Sequence, residues 1–391
     1  MDINPKRIGQ QVRNFERAIT AYDHKEPFAR FLTRFFKENK QMGSSDRRMT
    51  SRFCYNYFRL GKALLDQTRI DRLIVAEFLC THDSALVAFY RPEWCVQQEN
   101  TLAQKFEFLQ VQGYSLLADV FPSGFSLSEG VDPIAFSKSH LLQPDLFIRV
   151  KRGKNTLVER ELQQHEIAFE QVSQQAYRLA IGSNLQQVKK IAGLYEVQDL
   201  SSQQSLADLS VEPGTAWWDA CAASGGKSLL LLDQFPDIQL LVSDVRLSIL
   251  RNLDERFENA GIAHTYRKKV LDLSQDVRKQ LQGETFDGIV LDAPCSGSGT
   301  WGRTPEMLSQ FTLQKLQSFT SLQRNIIQHV VPHLKPGGIL VYITCSVFKE
   351  ENEAQVKLLA ETYGFSIEKA GAIKGYDRRS DSMFRAILRK K

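Results

Sequence analysis

Residues 214–235 read GTAWWDACAASGGKSLLLLDQF. An apolar run ending in Asp219, a turn of small residues and a leucine-rich run describe a strand, a Gly-rich turn and a helix. The unit recurs downstream. Residues 238–261, IQLLVSDVRLSILRNLDERFENAG, are again strand, acidic turn and helix. KKVLDLS, at 268–274, holds a further short strand, and FDGIVLDAPCSGSG, at 286–299, another. Residues 321–346, SLQRNIIQHVVPHLKPGGILVYITCS, read as a helix, a Pro-Gly-Gly turn and a strand. Alternating strands and helices predict an α/β domain with a mostly parallel sheet and helices on both faces. In such sheets ligands bind beyond the carboxyl ends of the strands. Asp219, Asp244, Asp292 and Cys345 all fall at that edge.

The rest of the chain differs in character. Of 391 residues, 42% are hydrophobic and 24% charged, enough for ordinary globular cores. No apolar run approaches 18 residues and no charged-then-apolar leader is present, so neither a membrane span nor a secretory signal is expected. IGQQVRNFERAITAY (8–22) and PFARFLTRFFKEN (27–39) space their apolar residues at three and four, as helices do. GSSDRRMTSRFCYNYFRLGKALL (43–65) opens with a Gly-Ser-Ser-Asp helix-start signal. DLFIRVKRG (145–153) alternates like a strand and starts a small unit reaching to about residue 200. The expected domains are a helical region over 1–130, an α+β module over 131–204 and the α/β domain over 205–391.

Net charge is +5 but unevenly placed. Residues 1–70 carry 15 basic and 7 acidic side chains, and residues 374–391 carry 7 and 2. A basic block beside a near-neutral enzyme-like body suits a polyanionic partner such as nucleic acid, or a plain solvated helical surface. Arg47, Arg48, Arg52 and Arg59 are the candidate phosphate contacts, with a solvent-facing role the alternative for each.

GGKS within the first loop suggests a phosphate-binding loop, but that motif needs a glycine where Cys221 stands, and G-x-G-x-x-G is absent too. What remains is a run of small residues that lets a ligand approach the backbone. Asp244 is placed to accept hydrogen bonds from ribose hydroxyls and Asp272 to border an adenine. The layout suits S-adenosylmethionine, a nucleoside without a phosphate; turn-capping is the alternative for each carboxylate.

The six cysteines, at 54, 80, 95, 221, 295 and 345, show no C-x-x-C spacing. No zinc site or disulfide framework is expected, and reduced cytoplasmic thiols are. Most isolated cysteines are small hydrophobes. Cys295 and Cys345 each directly follow a predicted parallel strand among small polar residues. Cytosine C5 is a poor nucleophile until a thiolate adds to C6 and enriches C5 in electrons. Two thiols and a carboxylate at one sheet edge suit that chemistry, with Asp292 hydrogen-bonding the N3/N4 edge of the base.

DACAASGGKS, VSDVR, LDAPCSGSGTWGRTPE and ITCSVFKEENE together resemble the NOL1/NOP2/Sun family of RNA 5-methylcytosine methyltransferases, in the order of its bacterial Sun (RsmB-like) ribosomal-RNA branch. GLYEVQDLSSQQ (193–204), PDLFIRVKRG and MGSSDRRMTSRFCYNYFRLG extend the resemblance upstream. It implies a Rossmann-like methyltransferase domain, a small RNA-binding module before it and a NusB-like or shortened helical region at the start. It also implies Cys345 as nucleophile and Cys295 as the residue assisting release. Cofactor contacts are implied from Cys221, Ala222, Ala223, Ser224, Gly225, Gly226 and Lys227 and from Asp244, Asp272 and Asp292. Arg303 matches a basic position of the family, implied to contact RNA or order the loop, with a plain surface arginine the alternative. Two positions depart from the family: Ser224 stands where a proline is usual, which should loosen the turn, and Ser382 where a glycine is usual.

The expected substrate is a flexible RNA, because the base must leave its stack to react. Small-subunit ribosomal RNA leads, with transfer RNA, or an idle assembly factor that keeps only the fold, as alternatives. Trp301 and Phe348 are read as packing residues rather than stacking platforms. No metal and no membrane partner are expected, and nothing requires more than a monomer.

Overall fold

The computed structural model describes residues 3–262 and 266–391. The chain forms two compact units. The first comprises Met1–Phe125, Asp132–Gln143 and Thr300–Thr312; the second Ser126–Val131, Pro144–Gly299 and Leu313–Lys391. These units do not coincide with the boundaries expected from the sequence. The helix Pro133–Ser139 continues the helical unit beyond residue 130, and Thr300–Thr312 packs there rather than with the sheet that flanks it in sequence. The small module and the α/β domain share one unit.

The first unit is helical, with Pro5–Ala21, Phe28–Glu38, Ser44–Arg59 and Arg69–Cys80 as its longest opening helices. Pro5–Ala21 buries Ile8, Val12, Phe15 and Ala18, one stripe at three- and four-residue steps. Asn4 caps it by accepting from the Arg7 backbone N–H at 3.2 Å. The helix at 44 starts without a side-chain cap, since Gly43 is the capping position and the serines lie inside. Among the described residues no helix is long and apolar enough to cross a membrane.

The second unit has two sheets. Strands β1 (Leu146–Val150), β2 (Phe169–Gln171), β3 (Ala176–Leu179) and β4 (Tyr195–Val197) form an antiparallel sheet in the order β2-β3-β1-β4. Strands β5 (Ala216–Asp219), β6 (Gln239–Asp244), β7 (Tyr266–Val270), β8 (Phe286–Asp292), β9 (Leu334–Thr344), β10 (Phe365–Ile373) and β11 (Met383–Lys390) form the larger sheet, ordered β10-β11-β9-β8-β5-β6-β7. From β9 to β7 the strands are parallel; β10 and β11 are antiparallel additions at one edge. This is the Rossmann-like arrangement expected, extended by a C-terminal hairpin that the alternating pattern did not reveal.

Side-chain alternation sorts the core into two layers. Trp218, Leu241, Ile289, Leu291, Leu340 and Tyr342 pack on one face with Ile326, Ile327 and Val330 of the helix Leu313–Val330. Trp217, Leu240, Val242, Val290, Val341 and Ile343 pack on the other with Leu229–Leu232, Leu250, Leu253 and Phe257. Both faces are covered, so each strand reads as continuously apolar. Burying either tryptophan contributes roughly 4–6 kcal/mol of transfer free energy. Gly288 makes room for this: a Cβ there would sit 2.3 Å from the Trp217 ring. The Pro-Gly-Gly turn, expected before the last parallel strand, lies within β9. The pairing advances by two residues on β8 and five on β9 between Phe286/Leu334 and Gly288/Ile339, and Gly337 adopts φ 74° in the slack.

The small module is tied to the α/β domain by buried charge. Arg149 on β1 donates to Asp233 at 2.6 Å and to Gln198 at 2.9 Å. Its exposure is 3%, so this guanidinium is a structural anchor.

Candidate active site

Strand ends assemble the site. Beyond β5–β8 lies a cavity of about 520 Å³ lined by Ala220, Cys221, Ala223, Asp244–Arg246, Leu271–Ser274, Asp292–Cys295, Leu322 and Ile326. Its walls are mostly apolar, with Asp244, Asp272 and Asp292 at the strand ends.

Of the residues expected to hold a cofactor, Cys221, Ala223, Asp244, Asp272 and Asp292 line this cavity, whereas Ala222, Ser224, Gly225, Gly226 and Lys227 do not. The backbone gives the reason. Ala223 (φ 46°) and Gly225 (φ 84°) are both left-handed and turn the chain away after Ala223. Gly225 is required on two counts, since a Cβ there would also lie 2.8 Å from Phe257. Ser224 is carried toward the helix Leu247–Asn259, where Arg256 donates to its carbonyl at 3.0 Å and its hydroxyl at 2.9 Å. Arg256 is itself held by Glu196 of β4 at 2.7 Å. The turn expected to loosen without its proline is therefore fastened by a side chain.

Asp219, read from sequence as part of the ligand edge, is fully buried and accepts from Ser228 at 2.5 Å at the start of the following helix. Its other oxygen has no hydrogen-bond partner, and burial pushes its pKa up to about 7. Asp219 is a structural carboxylate. Asp244 accepts from the backbone N–H of Ala223 at 3.2 Å and of Arg246 at 2.9 Å, and pairs with the Arg246 side chain at 3.1 Å. Asp272 accepts from the Ser274 N–H and hydroxyl.

Lys227 turns to the other side of Asp292. Its ammonium donates to Asp292 Oδ2 and to Ser202 Oγ, each at 3.0 Å. Burial opposes its charge, but Asp292 and Cys345 outweigh burial and hold its pKa above the usual lysine value. Lys227 is thus a partner of Asp292 and Cys345 rather than of the cavity. Ser202, from the GLYEVQDLSSQQ stretch, is a contact the sequence did not assign.

Cys295 follows β8 and Cys345 follows β9, and their loops are joined. The Gly299 N–H donates to the Cys345 carbonyl at 2.9 Å, and Ser296 Oγ lies 3.2 Å from Ser346 Oγ. Cys295 is on the cavity wall; Cys345 is not. Burial pushes the Cys345 thiol up to about 12; Asp292 adds to this and Lys227 opposes it. Cys295 is also pushed up, by burial, then by Cys345 and Glu351, with only the Gly297 N–H opposing. Burial thus favours the neutral form of both thiols, whereas a polar or electropositive surrounding favours a thiolate. The difference between them is that the charge of Lys227 acts on Cys345, against that of Asp292.

The basic residues divide. Arg59 is 3% exposed and donates to the carbonyls of His140 at 2.7 Å and Gly302 at 3.0 Å, so it closes the helical unit instead of facing a ligand. Arg52 pairs with buried Glu77 at 2.8 Å. Arg47 donates to the Met42 carbonyl and lies against the Phe36 ring. Arg48 and Arg303 are exposed, both in the helical unit. Trp301 and Phe348 are buried packing residues, as expected.

Residues 207–371 match a family model described as 16S rRNA methyltransferase RsmB/F, in agreement with the resemblance carried by the motifs. The ribosomal RNA small subunit methyltransferase B of Xylella fastidiosa is 37% identical over 181 residues, 46% of this chain and 42% of that protein. Its Vibrio cholerae counterpart is 34% identical over 169 residues, 43% and 38% respectively. The chain thus spans about two fifths of the length of these relatives. The crystal structure of PH0851 aligns over 100% of both chains with a TM-score of 0.70 and 20% identity. A methyltransferase homolog protein from Pyrococcus horikoshii aligns over 68% of this chain and 92% of its own, with a TM-score of 0.56 and 23% identity. These likenesses establish the fold.

Proposed function

We propose that this chain, whose residues 207–371 match the model of the 16S rRNA methyltransferase RsmB/F family, is an S-adenosylmethionine-dependent RNA cytosine-C5 methyltransferase acting on small-subunit ribosomal RNA. One observation carries the reading: two cysteine loops, bonded to each other, flank an Asp292–Lys227 pair at the carboxyl edge of the sheet.

The cavity fits the cofactor's chemistry. It offers apolar walls from Leu271, Leu273, Leu322 and Ile326 and carboxylates for hydroxyl and amine groups. Asp244 would hold the ribose and Asp272 would border the base. When bound, S-adenosylmethionine supplies the methyl group that C5 of the cytosine takes.

The protein's part is to make C5 nucleophilic. Cys345 loses its proton and its sulfur bonds to C6 of the cytosine. Asp292 accepts from the exocyclic amine of the base, and Lys227, paired with it at 3.0 Å, holds that carboxylate in place. Lys227 also favours the Cys345 thiolate as it forms, offsetting part of the burial that holds the resting thiol neutral. After methylation a base takes the C5 proton, the C5–H electron pair forms the C5=C6 double bond, and the C6–sulfur bond breaks to return Cys345 as thiolate; Cys295 assists this elimination. The arrangement supports giving the nucleophile's role to Cys345, because it is the thiol on which the charge of Lys227 acts.

The relatives' activity on small-subunit ribosomal RNA supports that substrate over transfer RNA. The test is methyl transfer from labelled cofactor to separate transcripts of the two RNAs by wild type and Cys345→Ala. Wild-type transfer to ribosomal RNA, absent from the variant while cofactor affinity is kept, is the expected result. Transfer to transfer RNA alone would replace the substrate, and turnover by Cys345→Ala would remove the mechanism.

A further inference from the structure

Glu351 is fully buried, and among the described residues no ion pair to it is seen, which is a costly state for a carboxylate. Burial raises its pKa above the usual value. What it touches explains its retention. Its two oxygens accept from the backbone N–H of Ser296 at 2.7 Å and from the Ser296 hydroxyl at 2.5 Å. Ser296 is the residue after Cys295. The Ser296 hydroxyl reaches Ser346, the residue after Cys345, at 3.2 Å. Ser346 Oγ lies 3.0 Å from Ser298 Oγ and accepts from the Phe348 N–H at 3.0 Å, while Ser298 Oγ accepts from the Val347 N–H at 2.9 Å. Tyr342 of β9 donates to the Glu351 carbonyl at 2.8 Å, fixing the residue's own backbone.

The network therefore joins, behind the two thiols, loops 50 residues apart in sequence. A pair of apolar residues would fill the same space without that connection. We propose that Glu351 is a positioning residue that holds the Cys295 loop in register with the Cys345 loop, and so governs how fast the covalent RNA adduct is released. The proposal rests on the two-cysteine reading above. Glu351 holds the Cys295 loop through both the N–H and the hydroxyl of Ser296, and the Cys345 loop through the Ser346 hydroxyl alone. More of its grip falls on the residue next to Cys295, so loosening it should slow release more than adduct formation.

The experiment uses full-length wild type, Cys295→Ala, Glu351→Ala, Glu351→Gln and Ser296→Ala. Each is incubated with S-adenosylmethionine and an unmodified pool of small-subunit ribosomal RNA and transfer RNA transcripts. Turnover, cofactor affinity and denaturation-resistant protein–RNA adduct are read in parallel. Glu351→Ala should keep cofactor affinity, accumulate adduct and lose turnover by on the order of 10²-fold, the cost of about 1 Å of misplacement. Glu351→Gln, which keeps an acceptor for the Ser296 N–H, should recover most of that turnover. Ser296→Ala should accumulate adduct to a smaller extent, and it serves as the deciding variant where Glu351→Ala does not fold. Wild-type adduct levels in the variants that fold would overturn the proposal while leaving the two-cysteine reading standing. Absence of adduct from Cys295→Ala itself would remove both.

Discussion

Lys227 and Asp292, 65 residues apart, meet at 3.0 Å with the lysine side chain 10% and the aspartate 24% exposed. The pair divides the carboxyl edge: Asp292 borders the cavity, and Lys227 stands on the Cys345 side. Replacing Lys227 with Met should leave a half-buried carboxylate without its cation. The expected cost is about 3 kcal/mol, the low end for a buried pair because Asp292 keeps some water. Methyl transfer should fall as well. Denaturant titration of Lys227→Met and of Lys227→Met/Asp292→Asn checks the cause. The second change should restore stability but not activity, and stability that stays low would point to lost packing instead.

The Arg256 bridge from Glu196 to Ser224 predicts that the cofactor loop is stiffened from outside. Arg256→Ala should weaken S-adenosylmethionine binding about tenfold, the worth of one charge-assisted hydrogen bond. Adding Ser224→Pro should recover part of that affinity by restricting the unfastened turn. Calorimetric titration measures both, and unchanged affinity in Arg256→Ala would show that the loop holds its shape alone.

Asp219 makes stability depend on pH in a stated direction. Its folded pKa, about 7, lies above its unfolded value, so its contribution is fully present below about pH 4 and is lost as pH rises through 7. Asp219→Asn should flatten that decline between pH 4 and 7 in chemical denaturation. A wild-type slope in the variant would assign the dependence to other groups.

Arg48 and Arg59 should part company in RNA binding. Arg48→Gln is expected to lower affinity for all sequences and reduce the salt slope by about 1, as loss of one phosphate contact does. Arg59→Gln removes the donor to three carbonyls, one buried and two partly buried, and should lower the melting temperature of the helical unit. Equal salt slopes in wild type and Arg48→Gln would remove this surface from the RNA path.

Local pattern and long-range partnership explain what the sequence revealed and what it hid. Strands β5, β6, β8 and β9 were legible because their apolar runs end in Asp219, Asp244, Asp292 and Thr344, each before a turn of small or polar residues. The edge position of both cysteines followed from those ends. Asp219 and Asp244 look alike in sequence, yet one points inward to Ser228 and the other lines the cavity. Arg59 and Arg48 share a helix and differ by burial that depends on residues 140 and 302. Lys227 sits in a glycine loop that reads as a ligand loop, but two left-handed residues redirect it to Asp292. Leu322 and Ile326 line the cavity at i, i+4 spacing, which a core-facing stripe shares. For Arg59 and Lys227 the partner itself comes from far along the chain.

The central claim is that Cys345 bonds covalently to the RNA base and Cys295 helps to undo that bond. Cys295→Ala incubated with S-adenosylmethionine and the unmodified RNA pool, then denatured, digested and mapped by mass spectrometry, tests it most directly. The account predicts a methylated cytidine linked to the peptide that carries Cys345, and no link in Cys295→Ala/Cys345→Ala. A link at a different cysteine, or full turnover by Cys295→Ala with no link at all, would contradict it.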